Sequence, residues 1–173
     1  EEIAEERIET ARMSKGRRLD LSGWGLTQLP DSIGTLLHLR ELNISDNQLT
    51  SLPDAIGHLG QLNKLFAYQN RLTEFPVALC QLFNLRDLIV TGNQLTDLPL
   101  DLGQLRQLHV LDVSENELQF LPDTLGRLAK LGTLDVSRNR LADLPDTVSG
   151  LLQLDELIAS RNRLTRLPLA LYQ

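Results

Sequence analysis

The sequence is poor in cysteine and in aromatic residues, with one cysteine, Cys80, and only 4% aromatics in 173 residues. A single cysteine cannot form an internal disulfide, so hydrophobic burial must hold the fold. No apolar run approaches the roughly 20 residues that a membrane helix needs, and the first residues, EEIAEE, are unlike a signal peptide. We expect a cytoplasmic protein without a membrane partner, or one in a host cytoplasm if it is secreted.

Motifs of catalysis and of metal binding are also missing. The sequence has no G-x-x-x-x-G-K-[ST] loop, no H-E-x-x-H and no C-x-x-C, and its three histidines have no common spacing. Cys80 has no histidine in register beside it, so we interpret it as a small filler. The net charge of −6 and the pI near 5.0 argue against nucleic-acid binding, which uses a basic face. We expect no enzyme, no metal and no cofactor in this chain.

What the sequence does contain is a strict internal repeat of 23 residues. The prolines follow it without exception: Pro30, Pro53, Pro76, Pro99, Pro122, Pro145 and Pro168. Asparagines keep the same step: Asn47, Asn70, Asn93, Asn116, Asn139 and Asn162, with Trp24 in their place in the first unit. A fixed period of about 20 to 50 residues indicates a stacked array of supersecondary units.

The apolar positions of the unit identify the kind of array. The consensus of the units is L-x-x-L-x-L-x-x-N-x-L-x-x-L-P-x-x-I/L-x-x-L. Residues 41–45 alternate apolar with polar side chains, as a half-buried strand does. This unit resembles the leucine-rich repeat of the typical 23-residue class. The resemblance implies an α/β solenoid, a right-handed horseshoe with a concave parallel β-sheet and an irregular, 3-10 or short-helical convex side. The repeats would span residues 18–40, 41–63, 64–86, 87–109, 110–132, 133–155 and, incomplete, 156–173.

Within that family the chain is similar to intracellular bacterial and Ras-linked arrays, including those of Roco GTPases. The residues that carry this likeness are RIETA at 7–11, LDLS at 19–22 and LTQLP at 26–30. The likeness implies a regulatory recognition arm attached to a GTPase or another effector domain. The chain differs from bacterial ubiquitin-ligase effectors, whose repeat units are typically shorter than 23 residues. The absence of the cysteine-paired caps of extracellular relatives agrees with a cytoplasmic location.

The two ends of an array need covering, because each leaves an apolar edge. Residues 1–17 contain no proline, and we predict a helix that caps Leu19 and Leu21. One side of this helix would carry Ile3, Arg7, Ile8, Ala11 and Met13. At the other end, an open edge would consist of Leu157, Leu164, Leu167 and Leu171. We expect either a fragment of a longer protein or a homodimer that covers this edge.

The strand positions that face outward vary from repeat to repeat and are candidates for binding. Their central column is Asp20, Asn43, Phe66, Ile89, Asp112, Asp135 and Ile158. Phe66 and Ile89 interrupt a polar column, and Tyr68 and Val110 would lie beside them on the same face. Single exposed apolar residues are common. A cluster over three consecutive repeats predicts a partner-binding site on the concave face. Its residues are Phe66, Tyr68, Ile89, Val110, Asp112 and Asp135.

A second candidate site is basic and lies past the strands of the last repeats. It consists of Arg138, Arg140, Arg161 and Arg163. Asp46, Glu115 and Glu117 hold equivalent places earlier in the array, which suggests that the middle of the array is acidic and its C-terminal end basic. The arginines could then steer an acidic partner. The alternative is a solvated face that Asp112 and Asp135 partly neutralise.

These features predict a non-catalytic module that recognises a protein, either a folded partner or another domain of the same protein. An alternative is substrate recruitment for an enzyme, of the ubiquitin-ligase effector or Roco GTPase type, whose catalytic domain lies outside this chain. A third hypothesis is edge-to-edge assembly of copies of the chain.

Overall fold

The computed structural model describes residues 2–168, which form one α-helix, seven short strands and six 3-10 helices. Helix α1 spans Glu2–Ser14. The strands are β1 (Arg18–Asp20), β2 (Glu41–Asn43), β3 (Lys64–Phe66), β4 (Asp87–Ile89), β5 (Val110–Asp112), β6 (Thr133–Asp135) and β7 (Glu156–Ile158). The 3-10 helices span Asp31–Thr35, Asp54–His58, Val77–Gln81, Leu100–Gln104, Asp123–Arg127 and Asp146–Gly150. None of the helices described in this range is long and apolar enough to cross a membrane.

All seven strands pair in parallel in chain order from β1 to β7. The register follows the sequence repeat, so Leu19 pairs with Leu42 and Leu42 with Leu65. Each 3-10 helix begins directly after a proline, whose fixed φ near −65° and missing N–H suit a helix start. The predicted leucine-rich repeat solenoid, with a parallel sheet on one side and short helices on the other, is confirmed.

One continuous core runs through the stack. The central leucine of each strand from β2 to β6 is fully buried, and the leucines that flank each proline and each 3-10 helix join it. Since every repeat contributes the same side chains, each repeat buries its neighbours' apolar surface and cannot bury its own alone. The hydrophobic effect therefore stabilises the array rather than any single unit.

The asparagine column forms a ladder of buried amides. The Asn93 Nδ2 group donates to the carbonyls of Val90 and Thr91 in its own repeat, at 2.9 and 3.4 Å, and of Ala67 in the preceding one, at 3.0 Å. Its Oδ1 accepts the Leu72 N–H at 2.9 Å. A single amide thus satisfies backbone groups of two repeats that the short strands leave unpaired.

The ladder also explains why the first repeat has Trp24 where the others have asparagine. Asn47 serves that repeat by accepting the N–H groups of Trp24 and Leu26 at 3.2 and 2.9 Å. An asparagine at position 24 would need a carbonyl of a preceding repeat as its hydrogen-bond acceptor. Helix α1 occupies the place of that repeat. The Arg7 guanidinium lies 4.6 Å from the centre of the Trp24 ring, a cation–π contact between the cap and the first repeat.

Helix α1 caps the array as predicted, and two residues of its predicted packed side, Ile8 and Ala11, are buried. Ala4, Ile8 and Ala11 are buried, at the i, i+4, i+7 spacing of one helical stripe. Ile3 and Met13 remain 44% and 74% exposed, so their assignment to the packed side is wrong. The physical reason is close approach, because two alanines allow the helix backbone to sit near the edge of the first repeat.

The carboxy-terminal edge is less well covered than the middle of the stack. Leu157 and Leu164 are only partly buried, and Leu167 is 41% exposed. Leu171, the fourth residue of the predicted open edge, lies outside the described residues. Five non-glycine residues that directly precede a repeat asparagine take left-handed φ values of 51° to 55°, among them Glu115 and Arg138.

Candidate functional site

The predicted apolar residues lie together on the outer face of the sheet. Phe66 and Ile89 are register partners on β3 and β4. Tyr68 follows Phe66 by two residues, and its carbonyl accepts the Asp46 N–H at 3.0 Å, so the parallel ladder extends past the strand. Val110 pairs with Asp87 and lies one strand beyond Ile89. All four apolar side chains are half-buried, and we call this set the apolar patch.

Polar residues of the same central column have a local structural task. Asp20, Asn43, Asp112 and Asp135 each accept the backbone N–H two residues later through Oδ1, at 2.8 to 3.1 Å. This is the geometry of an Asx turn, which fixes the end of these four strands. Phe66, Ile89 and Ile158 have no side-chain acceptor, so β3, β4 and β7 do without this bond. The apolar patch therefore replaces groups that help the fold locally.

Charges on the outer face are unevenly compensated. Lys64 forms a 2.8 Å ion pair with Asp87, and Arg18 forms a 3.3 Å pair with Glu41. By contrast, Asp112 and Asp135 are register partners with like charge. Burial raises the pKa of Asp112, hydrogen bonds from Ser114 oppose this, and the charges of Asp135 and Glu115 raise the pKa further.

Two of the four arginines of the predicted basic end form ion pairs with glutamates. Arg138 Nη1 lies 2.9 Å from Glu115 Oε1, and Arg140 Nη1 lies 3.0 Å from Glu117 Oε2. Each of these two glutamates pairs with the arginine 23 residues later, so the charges of Arg138 and Arg140 are partly compensated. The partners are these glutamates and not Asp112 and Asp135.

Arg161 and Arg163 lie one repeat further along and are exposed. Their column neighbours in the preceding repeat are arginines, so the same inter-repeat pairing does not reach them. Steering of a partner by this pair stays a prediction. Exposed ion pairs such as those of Arg138 and Arg140 contribute about 1 kcal/mol or less to stability.

A groove that sequence reasoning missed lies between helix α1 and the first repeat. It has a volume of about 570 Å³ and is lined by Ile3, Arg7, Arg18 and the 45% exposed Trp24, among others. The sequence feature that could have predicted this groove is Trp24, which lies where the later repeats have asparagine.

A second missed feature lies at the start of the 3-10 helices. Four of these helices begin with aspartate, whereas the helices of the third and fourth repeats begin with Val77 and Leu100. These two side chains are 54% and 70% exposed. Comparison of this position across the repeats would have identified Val77 and Leu100, as comparison of the central strand position identifies Phe66 and Ile89.

Reactive groups do not assemble in the described part of the chain. Cys80 is buried, and burial together with the nearby Asp101 raises the pKa of its thiol to about 12, so the thiol stays protonated near neutral pH. Within residues 2–168 no three histidine, cysteine, aspartate or glutamate side chains lie together as a metal site requires.

Comparison with solved structures finds similar repeats in larger proteins. The ectodomain of the plant receptor kinase GASSHO1/SCHENGEN3 from Arabidopsis thaliana, in complex with CASPARIAN STRIP INTEGRITY FACTOR 2, matches at 31% identity and TM-score 0.78 over 84% of this chain and 18% of that chain. An internalin from Listeria monocytogenes matches at 24% identity and TM-score 0.78 over 95% of this chain and 47% of that one. The internalin likeness therefore concerns the fold alone.

A leucine-rich repeat protein of Leptospira interrogans matches at 26% identity and TM-score 0.59, over 94% of this chain and 60% of that chain. The chain thus spans less than two thirds of each of these three proteins. No match is found among curated proteins.

Two family models match the sequence. One is described as a leucine rich repeat and covers residues 17–72, and the other is described as a leucine-rich repeat region and covers residues 76–167, more than half of the chain. The strand register, the asparagine ladder and these matches agree. The chain belongs to the leucine-rich repeat family.

Proposed function

We propose that this chain is a non-catalytic recognition module and that a protein partner docks on the outer face of the sheet at the apolar patch. The observation that carries the proposal is the replacement of Asx-turn residues by Phe66 and Ile89 on neighbouring strands. Each replacement gives up a hydrogen bond worth about 1 kcal/mol and exposes apolar surface. Folding gains from that exchange only the packing of the buried part of the two side chains, whereas a binding face gains the apolar surface that remains exposed.

The composition of the apolar patch supports the same function. Aromatic residues near the centre of an interface, ringed by polar groups, are typical of binding hot spots. Tyr68 and Phe66 supply the aromatic surface, and the Lys64–Asp87 ion pair and Asp112 border it. The relative from Arabidopsis, whose ectodomain was solved with CASPARIAN STRIP INTEGRITY FACTOR 2, uses the same kind of array.

A second candidate function is recruitment of a substrate for an enzyme that lies elsewhere in a longer protein, of the ubiquitin-ligase or Roco GTPase type. The observation that favours it is coverage, since the chain spans 18 to 60% of the similar proteins. The array would then select the target, and another domain would act on it. Both functions use the apolar patch, and both fit a cytoplasmic setting.

The test compares the wild-type chain with a Phe66→Asn, Ile89→Asn double variant. Asparagine is the residue that this column already holds at Asn43, where its Oδ1 accepts the Ser45 N–H at 3.1 Å. The variant therefore keeps the local fold and removes only the apolar surface. A matched control is Phe83→Asn, which removes an aromatic side chain that is 57% exposed in the turn before β4.

Proteins captured from an extract of the source cells would be identified, purified and titrated against all three chains by calorimetry. We expect the double variant to lose at least 2 kcal/mol of binding free energy, the order of magnitude for hot spots, and the control to bind as wild type. Equal binding by wild type and the double variant would disprove the proposed site.

A further inference from the structure

The chemistry of the partner follows from the charges around the apolar patch, and this inference rests on the proposed function. The first and third residues of the strands face outward. Among them are two basic residues, and both are ion-paired: Arg18 and Lys64. Six are acidic: Asp20, Glu41, Asp87, Asp112, Asp135 and Glu156. The outward-facing strand residues therefore carry a net negative charge, and neither of their two basic side chains is unpaired in residues 2–168.

Asp112 and Asp135 stand out among these acids. They are direct register partners, and like charges opposite each other on neighbouring strands destabilise a sheet. Each uses Oδ1 for its Asx turn, at 2.9 and 2.8 Å from the Ser114 and Ser137 nitrogens. Within residues 2–168 neither Oδ2 has a hydrogen bond or an ion pair to the protein. Asparagine would serve the turns equally well, as Asn43 does, without the repulsion.

The carboxylate pair also borders the apolar patch. Asp112 is the register partner of Ile89, so the two features share an edge. Strands lie about 4.8 Å apart, which places the middle of the carboxylate pair about 10 Å from the middle of the Phe66–Ile89 pair. An extended chain advances about 3.3 Å per residue, so about three residues span that distance.

We propose that the docking segment of the partner is basic. It places an apolar side chain on Phe66 and Ile89 and, about three residues away, a lysine or arginine between the carboxylates of Asp112 and Asp135. The cation supplies the charge that the sheet lacks and removes the repulsion between the two aspartates. This reverses the acidic partner that the arginines of the last repeats suggest, and two of those arginines already pair with glutamates.

The experiment is selection from a displayed library of random linear peptides on the whole chain, followed by titration of the selected peptides. Three double variants separate the contributions. Asp112→Asn with Asp135→Asn removes the carboxylates and keeps the turns. Asp123→Asn with Asp146→Asn removes the same charge from the same repeats at the start of their 3-10 helices. Phe66→Asn with Ile89→Asn removes the apolar surface.

We expect the selected peptides to combine an apolar residue with lysine or arginine at the stated spacing. Their affinity should fall about tenfold or more on the Asp112, Asp135 variant and remain unchanged on the Asp123, Asp146 variant. It should weaken with salt on the wild type and on the Asp123, Asp146 variant, and not on the Asp112, Asp135 variant. Loss of binding on the Phe66, Ile89 variant is also expected.

Two results overturn the inference, and they differ in what they say of the proposed function. Peptides that require Phe66 and Ile89 but carry no excess of basic residues, and that bind the Asp112, Asp135 variant as well as wild type, leave the docking site standing and refute the basic partner. Peptides that bind the Phe66, Ile89 variant as well as wild type refute both.

Discussion

The third and fourth repeats are built like the fifth and sixth on the inside and unlike them on the outside. The central leucines of their strands are all fully buried: Leu65, Leu88, Leu111 and Leu134. The outward residues that follow these leucines are Phe66 and Ile89 in the first pair of repeats and Asp112 and Asp135 in the second. The same backbone thus carries an apolar surface in one half and an acidic one in the other.

The difference extends to the 3-10 helices. Val77 and Leu100 begin the helices of the third and fourth repeats, where Asp123 and Asp146 begin those of the fifth and sixth. The asparagines are the same in both regions, and the buried framework positions stay apolar, with Phe75 and Val148 in place of leucine, so these positions determine the fold. The positions that change lie at the surface and are free to determine what the protein binds. The predictions below test this separation of framework and surface.

The largest loss of stability is expected for substitutions in the asparagine ladder, and the loss should be equal in both regions. Asn93→Ala and Asn139→Ala each remove an amide that donates to three carbonyls and accepts one N–H. Buried groups left without partners cost about 1 to 3 kcal/mol each, so we expect a loss of about 3 kcal/mol or more. Urea denaturation measures it. A difference above about 1 kcal/mol between the variants would contradict a common framework.

A smaller loss, about 2 kcal/mol, is expected for Gly103→Ala and Gly126→Ala. A Cβ at these positions would lie 2.5 and 2.4 Å from the carbonyl oxygens of Thr124 and Thr147 in the next repeat, so the repeats must move apart. Gly60→Ala is the control, because a Cβ there meets nothing within 4 Å. Thermal denaturation compares all three. Equal stability of Gly60→Ala and Gly126→Ala would rule out close packing between these helices.

Changes in the central column should have little effect on stability. Phe66→Asn with Ile89→Asn gains two Asx-turn bonds and loses partial apolar packing, so we expect a change within about 1 kcal/mol. Leu65→Asn, on the fully buried side of the same strand, should cost about 3 kcal/mol or more. Similar losses for both would show that Phe66 and Ile89 belong to the framework.

The smallest effects are expected in the pH dependence of the acidic column, and their signs are opposite at two positions. Burial raises the pKa of Asp112, so the folded state holds its proton more tightly and the free energy of unfolding falls as pH rises past the ordinary value of 3.8. The stability of Asp112→Asn relative to wild type should therefore grow between about pH 3 and pH 7.

Asp20 is the matched control in the same column. Hydrogen bonds from the Ser22 hydroxyl and N–H lower its pKa, so its contribution is present above the ordinary value and is lost as pH falls. Asp20→Asn should therefore lose stability relative to wild type over the same rise in pH. Urea denaturation at several pH values measures both variants, and the same sign for both would contradict the assigned causes.

The framework could be predicted from the sequence because its columns repeat at a fixed period. The 23-residue step gives the register of every strand pair, as Leu19 with Leu42 shows, and the proline column marks where each 3-10 helix begins. The ion pairs could also have been predicted from the period, since Glu115 pairs with Arg138 at that separation. The expectation of a basic end missed this because it compared positions along the chain and not across neighbouring repeats.

The cap and the site were harder to predict, because they do not repeat. The sequence favours the large residues Ile3 and Met13 for the packed face of helix α1, but Ala4 and Ala11 let it approach more closely. Periodicity does show that Phe66 and Ile89 are exceptions. It says nothing of charge balance on the outer face, which depends on which ion pairs form.

The most direct test of the account measures stability and binding on one molecule, the Phe66→Asn, Ile89→Asn variant. We predict that its free energy of unfolding stays within about 1 kcal/mol of wild type, while its affinity for a peptide selected on the wild-type chain falls at least about tenfold. Unchanged affinity, or a loss of stability like that of Leu65→Asn, would contradict the separation of framework and binding surface.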